Sequence, residues 1–273
     1  MMIDTPNSKI INVVSNDDSL SEEIRRILIQ KLEKAGYLVP KKFDYDAMLI
    51  ICIGGDGAFL NTLHTYNFPD IPFIGVNTGH LGFFQEILPY QLDELIFRLE
   101  KNEYKTQHLN AVSATVTYGN QQQHNITAMN EIVVRSSKTK TIHLNISLND
   151  EFLEKFSGDG VLVSTSPGST AYNYALGGSI VDPRLKLLQI TPIAPINSTA
   201  YRSFTSSVIV PPTTSVNINP ENAFENSISV AYDGIETTFN NLKKVSVELS
   251  DINIRLLRLD SYNFWDKVKS KFL

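Results

Sequence analysis

The chain has 273 residues, 42% hydrophobic and 19% charged, enough to bury a large core and to suit two compact units of roughly 100–150 residues each. A formal net charge of −5 and a pI near 5.6 argue against nucleic acid as a partner, and no apolar run approaches the roughly 20 residues of a membrane span. The polar opening and a single cysteine, Cys52, which has no partner for an internal disulfide, point to a reducing, cytoplasmic setting.

Residues 9–14 (KIINVV) read as a buried strand. From Leu20, apolar residues recur at Ile24, Ile27, Leu28, Leu32 and Ala35, the spacing of an amphipathic helix, with Ser19 as N-cap, Glu22 completing a capping box and Gly36 as the stop. Residues 47–53 (AMLIICI) and 72–76 (PFIGV) are apolar without alternation, as in strands covered on both faces, and residues 88–100 have a helical face of Leu92, Leu95, Ile96 and Leu99. Such alternation predicts a parallel, Rossmann-like α/β domain over residues 1–108.

Past His108 the composition shifts to Val, Ile, Thr, Ser and Asn in short alternating stretches: 113–118, 141–148, 206–210, 227–232 and 243–249. Pro211-Pro212 and Asn219-Pro220 punctuate them, which predicts an all-β domain over residues 109–254. The tail returns to a helical pattern with Phe264, Trp265, Val268 and Phe272, so a C-terminal helix within 255–273 is expected to pack back on the first domain.

The chemistry concentrates at glycine-rich turns. Gly54-Gly55-Asp56-Gly57 follows a buried strand directly and leads into a helical pattern at 58–64, so its backbone N–H groups can approach a phosphate at the carboxyl end of a parallel sheet. Asp56 is the only ionisable residue of the turn; beside phosphate a carboxylate needs a task, such as taking a hydroxyl proton or helping to hold Mg²⁺. Gly158-Asp159-Gly160 opens a strand that runs into Thr165-Ser166-Pro167-Gly168-Ser169-Thr170-Ala171-Tyr172, where small residues and hydroxyls suit a ribose or a base edge. Asn130-Glu131, at a strand start, pairs an amide with a carboxylate. Each segment alone also reads as an ordinary polar turn.

In combination these segments resemble the NAD kinase family. The match adds Gly75-Val76-Asn77-Thr78-Gly79-His80-Leu81-Gly82-Phe83, Gly177-Gly178, Thr191-Pro192-Ile193-Ala194-Pro195 and Arg202, in the family's order and spacing. The resemblance implies that Asp56 is the base facing the adenosine 2′-hydroxyl of NAD, with Gly57 beside it. Phe83 would stack on adenine with Phe84 flanking it, Asn130 would bond the adenine edge and Glu131 a ribose hydroxyl. Thr170, Ala171, Tyr172 and Ala175 would line the dinucleotide cleft, with Ala194 and Asp159 near the nicotinamide half, Asp159 reaching it from a neighbouring subunit. The substrates implied are NAD and ATP (or polyphosphate), with Mg²⁺ or another divalent metal on ATP, in a homo-oligomer, dimer or tetramer; no metal-ligand residue is assigned, and the five histidines show no ligand spacing. Three positions depart from the family pattern: Pro167 stands where a hydroxyl usually precedes the glycine, leaving Ser166 to replace it, Ser157 where a basic residue is frequent, and Ile235 where many members are polar. A lipid kinase shares the GGDG turn and is the first rival; a nucleotide sensor without turnover is the second, and Asp56 speaks against it.

Overall fold

The computed structural model describes residues 9–79, 82–138, 140–197, 199, 202–221 and 228–273; the expected motif positions His80 and Leu81 and the strand start at Ser227 lie outside them. The chain divides into two compact units, residues 1–109 with 254–273, and residues 110–253.

In the first unit the elements run β1 (Ile11–Ser15), α1 (Ser19–Lys34), β2 (Leu49–Gly54), α2 (Asp56–Thr65), β3 (Phe73–Asn77), β4 (Gln85–Ile87) and α3 (Leu92–Lys101). Strands β1, β2 and β3 pair in parallel in that order, and β4 adds in parallel to β3. Every residue of β2 is buried, which explains its unbroken apolar run. At its centre Cys52 is fully buried, and burial pushes its thiol up to about 11. Helix α1 buries Ile24, Leu28 and Leu32 against Leu49, Ile51 and Ile74, while Leu20 and Ile27, expected on that face, are exposed.

Three local expectations are corrected. Asp18, not Ser19, caps α1: its carboxylate accepts the Ser21 N–H at 2.9 Å and the Ser21 hydroxyl at 2.7 Å. A charged acceptor serves the positive helix end better than a hydroxyl, and Glu22 instead accepts from Ser15 Oγ at 2.8 Å. The helix expected over 88–100 opens as a 3₁₀ turn, Pro89–Gln91, before α3 begins at Leu92.

The second unit is built of strands. They are β5 (Lys105–Tyr118), β6 (Gln122–Ala128), β7 (Glu131–Ser136), β8 (Ile142–Leu148), β9 (Glu151–Gly158) and β10 (Gly160–Thr165). After the short helix α4 (Tyr172–Ala175) come β11 (Leu188–Ile193), β12 (Val208–Val210), β13 (Val216–Pro220), β14 (Ile228–Tyr232), β15 (Ile235–Thr238) and β16 (Leu242–Arg258). One antiparallel sheet has the order β12-β11-β10-β7-β14-β15; in the other, β16-β13-β8-β9 are neighbours and β5 pairs with β6. The core includes Val112, Ile132, Val134, Leu144, Phe156, Val161, Ile190 and Val230.

The last residues of β16 return to the first unit, where Leu256 pairs in parallel with Phe73. The terminal helix α5 runs Phe264–Phe272, inside the segment expected to carry it, while residues 255–258 complete β16. Asn263 caps it, Phe264 and Val268 are buried, and Trp265 is half exposed. Among the described residues no helix is long and apolar enough to cross a membrane.

Candidate active site

In the first unit, β2 ends at Gly54 and α2 begins at Asp56, two residues earlier than the pattern at 58–64 suggested, with Gly55 as N-cap. Asp56 thus occupies the first turn of a helix, where the macrodipole favours an acid. Its Oδ2 accepts the Phe83 N–H at 2.9 Å and its Oδ1 the Phe84 N–H at 3.0 Å, so two main-chain donors orient the carboxylate. A Cβ at Gly82 would strike Asp56 Oδ1, which is why this position needs glycine. Lys271 Nζ lies 3.9 Å from Asp56 Oδ2.

The segment 82–86 that holds Asp56 is itself held from behind. Arg258, 5% exposed, donates to Phe83 O (3.1 Å), Phe84 O (3.3 Å) and Gln107 Oε1 (2.8 Å), pairs with Glu86 at 3.4 Å and lies 3.7 Å from the Tyr262 ring centroid. Lys267 Nζ donates to Gly82 O at 3.0 Å and to Gln85 O. Burial, then the neighbouring Arg258, pulls the Lys267 ammonium down to about 8.

Both aromatic rings of the segment are buried. Phe83 packs at 5.7 Å and 5.9 Å on Phe264 and Phe272 of α5, beneath Lys271 Nζ at 4.9 Å. Phe84 stacks on Phe59 at 4.7 Å.

In the second unit the residues Asn130 and Glu131 are placed by a carboxylate 103 residues away in sequence. Asp233, in the β14–β15 turn, accepts the N–H of Met129 at 2.6 Å and of Asn130 at 2.8 Å. Asn130 O accepts from Thr165 N, and Thr165 Oγ1 donates to Met129 O at 2.8 Å and accepts Gly168 N at 3.0 Å. Thr165 therefore supplies the hydroxyl beside Gly168 for which the sequence offered Ser166, whose own hydroxyl is engaged by Leu185 O. Among the described residues, Asn130 Oδ1 and Glu131 Oε2 are buried without a hydrogen-bond partner, a costly state that a bound ligand would relieve.

Burial, reinforced by Asp233, pushes the Glu131 carboxyl up to about 8, so at neutral pH it is largely protonated and can donate. The raised value favours the fold below the unfolded carboxyl pKa and penalises it progressively as pH climbs towards 8. Glu131→Gln should accordingly melt above the unsubstituted protein at pH 8.5, with the gap closing by pH 5. Thermal melting across that range checks it, and a pH-independent gap would exclude a buried titrating carboxyl.

Thr170 is buried, Ala171 half-buried, and Tyr172, Ala175 and Ala194 are exposed. Asp159 is exposed between Gly158 and Gly160, its main chain bonded to Ser136 N and Ile193 O. Asp159, Tyr172 and Ile193 share the wall of a cavity of about 580 Å³ with Arg135, Lys138 and Lys140. Sequence reasoning assigned no role to Asp233, Thr165, Arg258, Lys267 or Lys271. A signal existed for two of them: Asp233-Gly234 is a hairpin turn pair, and Arg258 interrupts the apolar run at residues 256–259.

A family profile described as the ATP-NAD kinase N-terminal domain matches residues 12–104, and one for the ATP-NAD kinase C-terminal domain matches residues 129–259. The chain is 41% identical over 270 residues to the NAD kinase of Finegoldia magna, covering 98% of this chain and 99% of that protein. It is 34% identical over 251 residues to the NAD kinase of Lactobacillus johnsonii, covering 90% and 92%. Its fold is similar to the crystal structure of yeast NADH kinase complexed with NADH, with a TM-score of 0.83 at 20% identity over 99% of this chain and 92% of that one. It is also similar to an NAD kinase from Archaeoglobus fulgidus in complex with ATP, with a TM-score of 0.75 at 24% identity over 96% and 99%.

Proposed function

The chain belongs to the NAD kinase family, and on that premise we propose that it moves the γ-phosphoryl of ATP to the adenosine 2′-hydroxyl of NAD, with Asp56 as the base. The observation that carries the assignment is the Asp56 carboxylate, fixed by two main-chain N–H groups in the first turn of α2 at the carboxyl end of β2. There it accepts the hydroxyl proton as O2′ bonds to the γ-phosphorus and the bond to the β-phosphate bridging oxygen breaks, releasing ADP. The lipid-kinase reading falls with the family assignment. An assay of NADP formation from NAD and of NADPH formation from NADH, with ATP and with polyphosphate, tests the proposal; absence of a 2′-phosphorylated product with every pair would refute it.

Binding then falls to groups with unmet capacity. Asn130 bonds the adenine edge and Glu131 a ribose hydroxyl, a division supported by their buried, unpartnered oxygens. Adenine stacking on Phe83 requires the Lys271–Phe272 turn to leave one face of the ring, whereas Phe84 acts through its N–H, its ring being committed to Phe59. Thr170, Ala171, Tyr172, Ala175 and Ala194 line the dinucleotide site, and Gly57 lets it approach α2. Mg²⁺, when bound, would come with the donor's phosphates and would supply charge neutralisation there. Among the described residues no group of three or more His, Cys, Asp or Glu is placed to hold a metal.

We also propose a homo-oligomer in which Asp159 serves a neighbouring site, as its exposure between two glycines allows. Mixing Asp56→Asn and Asp159→Ala subunits after dissociation should restore part of the activity. Verified hybrids that stay inactive, or a fully active monomer by light scattering, would exclude it.

A further inference from the structure

Residues 82–85 present four consecutive main-chain carbonyls to two cations. Lys267 of α5 takes the outer pair, donating to Gly82 O at 3.0 Å and to Gln85 O. Arg258, at the end of β16, takes the inner pair, Phe83 O and Phe84 O. With its donors the same segment grips the glycine-rich turn: Phe83 N and Phe84 N donate to Asp56, and the Gln85 side-chain amide donates to Gly55 O. In a planar trans peptide the C=O and the N–H point in opposite directions. The peptide joining Gly82 to Phe83 therefore stands between Lys267 and Asp56 Oδ2, and the next one stands between Arg258 and Asp56 Oδ1. Each plane is held at one end by a cation and holds the carboxylate at the other.

The two cations differ in how firmly they keep their charge. Facing the Lys267 amine are Arg258 of β16, Glu86 of β4, Asp56 of α2, Lys271 of its own helix and the Tyr262 ring at 5.8 Å. Asp266 joins Lys267, Glu86 and Tyr262 around a cavity of about 210 Å³. Burial and then Arg258 outweigh the two nearby carboxylates, so the ammonium discharges at about 8. A neutral amine still donates, but without the charge assistance that makes such a bond roughly twice as strong.

We propose that Lys267 is a positioning residue for phosphoryl transfer: its ammonium fixes the peptide between Gly82 and Phe83 and so keeps the Asp56 carboxylate aimed. The inference rests on Asp56 being the base and adds a group on the terminal helix on which turnover depends. Lys267→Met should lower kcat about tenfold or more, because small displacements of a reacting group slow it strongly, while the Kd for NAD and the KM for ATP move by about twofold at most. Lys267→Arg, charged at every working pH, should restore most of the rate. In the unsubstituted enzyme kcat should fall as pH rises through about 8, and neither variant should show that fall. Glu131 titrates over the same range but acts on dinucleotide affinity, so kcat is read at saturating NAD.

Stability separates positioning from simple support of the fold. A lysine whose pKa is lowered by folding favours the folded state increasingly as pH rises from 8 towards the unfolded value. Melting of the unsubstituted protein relative to Lys267→Met should therefore improve from pH 7.5 to 9.5 while its kcat declines, whereas a merely supporting side chain would move both together. Parent-like kcat in a folded Lys267→Met, or an unchanged alkaline fall in either variant, would overturn the proposal. If Lys267→Met does not fold, the alkaline profile of Lys267→Arg decides it in the same way. Full turnover in Asp56→Asn would overturn the base and the brace with it; a parent-like Lys267→Met beside a crippled Asp56→Asn would overturn the brace alone.

Discussion

Asp56→Asn should lower turnover by about 10²–10⁴-fold, roughly 3–5 kcal/mol of barrier, the scale expected when a positioned base is removed. The substitution keeps the size of the side chain and removes its ability to take the hydroxyl proton. It also perturbs the mount: both carboxylate oxygens accept main-chain N–H groups, so the amide nitrogen of Asn must face either Phe83 N or Phe84 N, donor against donor. A modest loss of melting temperature should therefore accompany the loss of rate. NAD affinity should fall far less than turnover, and the separation of kcat from dinucleotide Kd is the decisive reading. An Asp56→Asn enzyme with full turnover would remove the carboxylate from the chemistry.

Arg258→Met is expected to destabilise the fold by about 3–5 kcal/mol at pH 8, the range for stripping one partner from a buried ion pair. Arg258 and Glu86 have side chains only 6% and 7% exposed, and without the guanidinium the Glu86 carboxylate remains buried with its strongest cationic neighbour gone, leaving the weaker influence of Lys267 and the Leu259 N–H. Burial already raises Glu86, with Arg258 the largest influence pulling it back, so loss of Arg258 raises it further. A raised carboxyl pKa penalises the fold above that pKa and ceases to do so once the group is protonated, so the deficit of Arg258→Met should shrink as pH falls from 8 to 5. Adding Glu86→Gln should recover part of the loss at pH 8. Activity should fall as well, because Arg258 braces the carbonyls of the residues whose N–H groups aim Asp56. Denaturant unfolding of the single and double variants checks this, and a single variant as stable as the parent at pH 8 would exclude an ion-pair role.

Those two residues mark what the sequence made legible and what it did not. Strands β2 and β3 were readable because burial on both faces leaves an uninterrupted apolar signature, and the change at residue 108 was readable because half-buried antiparallel strands alternate. Boundaries shifted where a stronger local competitor stood one residue away, as Asp18 did beside Ser19. Of the site, the GGDG turn was visible because glycine spacing is a local property. The bracing of Asp56 was not: Arg258, Lys267 and Lys271 are separated from it by some two hundred residues, and no local pattern encodes such a contact. Asp233 was missed for the same reason, its two acceptor bonds closing on Met129 and Asn130 a hundred residues earlier.

Cys52 turns the sheet into its own reporter. The thiol is fully buried at the centre of the strand that carries the GGDG turn, within 3.5 Å of Thr62 Oγ1 on α2, and protonated at neutral pH. A thiol reagent can reach it only when β2 and α2 part, so the labelling rate measures how often that strand–helix pair opens. Because the chain has no other cysteine, no engineered label is required. A ligand that grips the turn should slow labelling in proportion to its occupancy, giving a readout of donor and dinucleotide binding that is independent of catalysis.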